Sequence, residues 1–161
     1  MTVLKWGMSQ AASDAYKASG HDPARLGQTI GNAVLSAGTH EQDGTDQFGN
    51  PYSAAVDISV MHPTKLTDDE IRSFSRDLSA HLFACFPRLP WHPEDGWLEI
   101  AHMHCIYVNE PMKLPLRNQV HSLLRGHNGL KGDGVYHFIQ QTPEILQKLR
   151  EAFLAHNPET G

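Results

Sequence analysis

The chain has no run of 18 apolar residues, so it offers no helix able to span a bilayer. Its first residues lack the apolar stretch of a secretory signal, which predicts synthesis in the cytoplasm and leaves the site of action open. It has only two cysteines, Cys85 and Cys105, too few for a disulfide framework and not arranged as a metal motif. They are expected to be buried free thiols, one in a helix and one in a strand. Positive charge is scarce too: 13 Lys and Arg against 18 Asp and Glu give a net charge of −5, with pI near 6.1. That balance gives no reason to expect nucleic acid or an anionic membrane surface as partner. There is no internal repeat, no low-complexity tract, no Gly-X-Ser-X-Gly elbow and no phosphate-binding loop.

What remains is an ordinary soluble composition, 40% hydrophobic and 19% charged over 161 residues, enough for one domain with a sizeable core. Residues 1–161 are read as that single domain. A short helix is expected near Ser9 to Ser19. The apolar run Ala33 to Ala37 reads as a buried strand leading to His40. Gly, Asp, Asn and Thr dominate Gly38 to Pro51, which is loop chemistry. A strand is expected from Tyr52 to Val60, ended by Pro63. Thr67-Asp68-Asp69-Glu70 has the form of a capping box. Ile71, Phe74, Leu78, Leu82 and Cys85 follow at helical spacing, with Pro87 as the stop. Trp97 to Val108 reads as a strand, Leu114 to Leu124 and Pro143 to His156 as helices, and glycine-rich Gly126 to Gly134 as a mobile loop. This order predicts an α+β domain with a small, mostly antiparallel sheet packed with helices.

Eleven histidines are many for this length; they favour metal binding and also multiply chance patterns. Three stretches stand out: Gly38-Thr39-His40, Ala54-Ala55-Val56-Asp57-Ile58-Ser59, and Glu99-Ile100-Ala101-His102-Met103-His104-Cys105. In an extended segment His102 and His104 share a face with Leu98, Ile100, Ile106 and Val108, and two imidazoles in an apolar row need partners. Asp57 sits inside an apolar run, where an unpaired carboxylate is costly. A catalytic zinc takes three ligands from His, Asp and Glu and keeps one position for water, beside which a carboxylate can act as base. His40, Asp57 and His104 are the candidate ligands and Glu99 the candidate base. Glu41, Asp43 and Asp46 form a lesser group, a solvated loop more readily than a calcium site.

These motifs resemble the hedgehog/D-Ala-D-Ala-peptidase fold, including M15-type zinc peptidases of bacterial cell-wall peptides. The usual signature is Ser-X-His-X-X-Gly-X-Ala-X-Asp followed by Glu-X-X-His or His-X-His. Ala55-Val56-Asp57-Ile58 is similar to the end of the first motif. Glu99-Ile100-Ala101-His102 fits Glu-X-X-His, and His102-Met103-His104-Cys105 resembles the His-X-His-Cys strand of hedgehog signalling domains. The likeness runs from about His40 to Tyr107, under half the chain. The usual His and Asp are seven residues apart. Here Asn50 holds that place and His40 lies seventeen before Asp57, which reads as a ten-residue insertion over Glu41 to Pro51. His62 is the alternative upstream ligand.

The resemblance implies zinc-dependent hydrolysis of a D-amino-acid-containing, peptidoglycan-type peptide. Zn2+ would be held by His40, Asp57 and His104, with Glu99 as base and His102 at the oxyanion. In the other register His102 binds the metal. The rival reading is a non-catalytic zinc-stabilised binding domain, since the hedgehog domains keep the metal site for recognition.

Overall fold

The computed structural model describes residues 2–31 and 38–159. The strand expected at Ala33 to Ala37 lies outside the described residues. Ser9 starts the first helix, α1 (Gln10–Ser19), its hydroxyl accepting from the Ala12 N–H; Gly20, at φ 77°, closes it. The capping box forms as expected at α2 (Asp68–Ala80), with Thr67 and Glu70 each accepting from the other's N–H. Ile71, Phe74 and Leu78 are buried along its inner face.

The helix does not continue to Pro87. It ends at Ala80, Leu82 takes a left-handed φ of 72°, and Phe83–Arg88 forms a strand. The apolar stripe continues past the helix, but Phe83, Ala84, Cys85 and Phe86 are all fully buried, which suits a strand enclosed on both faces better than a one-sided helix. Pro87 is tolerated because this strand lies at a sheet edge.

Strands β1 (Gly44–Thr45) and β2 (Pro51–Tyr52) make a small antiparallel hairpin. Strands β3 (Ala55–Ile58), β4 (Phe83–Arg88) and β5 (His102–Tyr107) make an antiparallel sheet in the order β3-β5-β4. Two of the expected strands are therefore shorter than read. Tyr52 to Val60 divides between β2 and β3. The downstream strand begins only at His102, after an exposed bend in which Leu98 and Ile100 are 73% and 83% exposed rather than on a core face. Helices α3 (Leu114–Leu124) and α4 (Pro143–His156) occupy the expected residues and bury Leu116, Val120, Leu149 and Phe153. Helices and antiparallel sheets in this irregular order make the chain α+β.

Both cysteines lie in strands. Cys85 and Cys105 are cross-strand neighbours, buried and free, with sulfurs 3.3 Å apart. The 126–134 loop is hydrogen-bonded rather than loose: Asn128 N–H donates to Gly134 O at 2.9 Å, and Arg88 reaches Asn128 O at 2.6 Å. Among the described residues no helix is long and apolar enough to cross a membrane.

Candidate metal centre

The sheet register creates the site. Asp57 on β3 stands directly opposite His104 on β5, and on the far side of β5 His104 pairs with Phe86 and His102 with Arg88. Side chains alternate along a strand, so these residues share one sheet face. The segment of residues 27–31 then ties in His40. Gly27 N–H donates to Asp57 O at 2.7 Å, Asp57 N–H to Gln28 O at 2.8 Å, and Gly31 N–H to His40 O at 2.8 Å. Gly27 suits this close approach, because a Cβ there would lie 3.0 Å from the Asp57 carbonyl oxygen, tighter than an ordinary contact.

The ligand atoms of His40, Asp57 and His104 all lie within 4.8 Å of one another. Asp57 Oδ1 is 3.2 Å from His40 Nε2, 3.2 Å from His104 Nδ1 and 3.8 Å from His102 Nε2. His40 and His104 are buried, at 4% and 5% exposure, while Asp57 and His102 remain partly open. The outward nitrogen of each ring meets a carbonyl oxygen: His40 Nδ1 with Thr29 O at 2.7 Å, His104 Nε2 with Gln119 Oε1 at 2.8 Å, His102 Nδ1 with Ile100 O at 3.0 Å. Carbonyl oxygens only accept, so the outward nitrogens carry the protons. In a neutral ring the inward nitrogen then presents a lone pair to the Asp57 carboxylate. Lone pairs facing a carboxylate oxygen call for a proton on the ring or a metal ion between them, and two imidazoles with one carboxylate form a donor set suited to zinc and its neighbours. The residues present therefore fit a metal ion.

The charges are tightly coupled. Burial pushes the Asp57 carboxyl up, but its side-chain contacts with His104 and His40, which are hydrogen bonds whenever a ring carries a proton on its inward nitrogen, outweigh it and hold the group well below the usual carboxylate range. Burial lowers His40, yet its contact with Asp57 prevails and leaves it raised. His104 sits at the same distance from Asp57 but shifts down: the cost of burying its charge prevails there, and the nearby Arg88 and His40 charges add to the effect. Arg88 is itself buried, and desolvation lowers it to about 10.

Of the residues expected at the site, His40, Asp57 and His104 come together and His102 lies at the edge, with Trp97 edge-on to its ring at 5.1 Å. Glu99 is exposed in the bend before β5, outside the buried cluster. His62 is exposed too, its N–H held by Ser59 Oγ, and it is not in the cluster. The sixteen residues between His40 and Asp57 include the β1–β2 hairpin, so the chain leaves and returns through it. Asp43 and Asp46, weighed as calcium ligands, accept from the chain's own N–H groups: Asp43 from Ala54 and Lys113, Asp46 from Gln10, Phe48 and Asn50. Thr29 and Gln119 carried no signal in the sequence, because a carbonyl oxygen and a helical glutamine look alike wherever they occur. No family model, curated protein or solved structure matches this chain.

Proposed function

We propose that the chain is a zinc-dependent hydrolase of the M15-like class, cutting a peptide bond in a D-amino-acid-containing, peptidoglycan-type peptide. The observation that carries this reading is the meeting of His40, Asp57 and His104, with the outward nitrogens of the two histidines anchored so that their inward nitrogens face the Asp57 carboxylate. These three would hold the ion, which when bound supplies Lewis acidity and lowers the pKa of a water molecule toward about 7.

The chain's own groups would do the rest. Asp57 offsets positive charge and, with the Thr29 carbonyl and Gln119, fixes the two buried rings. Glu99 would take a proton from the attacking water and return it to the departing amine nitrogen as the C–N bond breaks. Its place in an exposed bend means that residues 97–101 must turn it toward the cluster. His102, whose Nδ1 is anchored to Ile100 O, can donate to a developing oxyanion only through a protonated Nε2. Buried His104 and half-open His102 support the register in which His104 is the ligand.

The exposure of Glu99 favours a second reading, a zinc-stabilised binding domain without turnover. The deciding experiment measures metal content of untagged protein and then hydrolysis of muropeptides by the zinc-loaded form. Full zinc occupancy with no cleavage would replace the enzyme by the binding domain.

A further inference from the structure

We propose that Gln119 is a positioning residue of the metal centre: its side-chain oxygen accepts a hydrogen bond from the Nε2–H of His104 and so holds Nδ1 as the nitrogen that binds the metal. The proposal rests on the metal-binding part of the reading above and is independent of hydrolysis. His104 lies on the central strand, and its ring reaches both sides of the site. Nδ1 is 3.2 Å from Asp57 Oδ1, and Nε2 is 2.8 Å from Gln119 Oε1 on α3. An imidazole carrying a proton on Nε2 has its lone pair on Nδ1, and a hydrogen bond to the second nitrogen both fixes the ring and raises the basicity of the first.

Gln119 lies against the 126–134 loop. A Cβ at Gly129, whose φ is 71°, would touch Gln119 Cγ at 3.7 Å, an ordinary contact, and crowd the Phe86 ring at 3.2 Å. The Phe86 ring in turn lies 6.1 Å from that of His104. Helix α3 and the 126–134 loop thus set the orientation of a ligand on β5. His40 is arranged in the opposite sense, with Nδ1 on the Thr29 carbonyl and Nε2 inward. The two histidines therefore bind through different nitrogens, and a backbone carbonyl and an amide side chain decide which.

The test uses Gln119→Met, which keeps length and removes the acceptor, and Gln119→Glu, which keeps an acceptor. Zinc affinity, read by competition with a chromogenic chelator, should fall about 10–100-fold in Gln119→Met and stay near wild type in Gln119→Glu. In 15N-labelled protein loaded with 113Cd, coupling should appear at Nδ1 of His104 and Nε2 of His40. Wild-type affinity in a folded Gln119→Met, or coupling at Nε2 of His104 in the wild type, overturns the role of Gln119. Failure of the wild type to bind zinc or cadmium overturns the metal centre itself. Loss of muropeptide cleavage with these signatures intact touches neither.

Discussion

Asp57 and His104 are cross-strand partners, one residue on β3 facing one on β5, with Asp57 Oδ1 3.2 Å from His104 Nδ1. Backbone pairing fixes the spacing of these two side chains. His40 instead reaches the site from outside the sheet, held by Thr29 and Gly31. The centre is two-thirds built by the sheet and completed by a strap.

The first expectation follows from that division. Zinc-loaded protein should contain one ion per chain by elemental analysis. Asp57→Ala and His104→Ala should each lose most of it, and His40→Ala should bind it much more weakly. His62→Ala should bind as wild type, because His62 is exposed and away from the cluster. Full retention in both Asp57→Ala and His104→Ala would refute the ligand set.

His102 separates the two registers. With Nε2 3.8 Å from Asp57 and its ring partly open, it stands beside the centre. His102→Ala should keep the zinc and slow any hydrolysis. Zinc lost from His102→Ala but kept in His104→Ala would mean that the Glu-X-X-His register governs.

Glu99→Gln keeps size and hydrogen bonding while removing the proton acceptor. Turnover of a D-amino-acid-containing peptide should drop by about 10²–10⁴ with fold and zinc unchanged. A variant as fast as wild type would leave the hydrolase reading standing and remove Glu99 from the mechanism.

Glu110 gives a pH dependence away from the metal. Burial pushes its carboxyl up to about 8, partly opposed by a hydrogen bond from Ser9 and reinforced by Asp43 and Asp46. The folded state thus holds this proton more tightly than the unfolded chain. Its contribution is full below about pH 4.5, fades as pH rises and is gone above pH 8. Glu110→Gln removes the titration, so its stability relative to wild type should rise by on the order of 2–4 kcal/mol between pH 4.5 and 8. Parallel stability curves from denaturant titrations would count against a buried, proton-holding Glu110.

Asp46 ties the hairpin to α1, accepting from the backbone N–H groups of Gln10, Phe48 and Asn50 and from the Asn50 side chain. Asp46→Ala should cost about 1–3 kcal/mol in denaturant unfolding. Added calcium should leave wild-type stability unchanged, since these oxygens are already occupied. A calcium-dependent rise that vanishes in Asp46→Ala would restore the cation-site reading.

Local patterns recovered much of this protein from its sequence. The capping box at Thr67, the helix over Leu114 to Leu124 and the one over Pro143 to His156 depend on residues within a turn or two of each other, and all are where the pattern put them. Phe83–Arg88 was misread because an apolar run buried on both faces carries no period of its own; the enclosing sheet made it a strand. Trp97 to Ala101 has strand-like residues yet forms a bend, because β propensity describes fit to a half-buried surface and among the described residues no strand pairs with that segment.

The sequence by itself determined the residue types of the site: an acid in an apolar run and a His-X-His pair name donors that must be satisfied if buried. Only the tertiary structure decided which donors meet. Asp57 faces His104 because of the β3–β5 register, His40 joins them through hydrogen bonds from a strap of residues 27–31, and Gln119 reaches His104 from α3. None of these is a relation between neighbours in the chain. Each arises where segments far apart in sequence pair their backbones or side chains, and that pairing is set by the packing of the whole core.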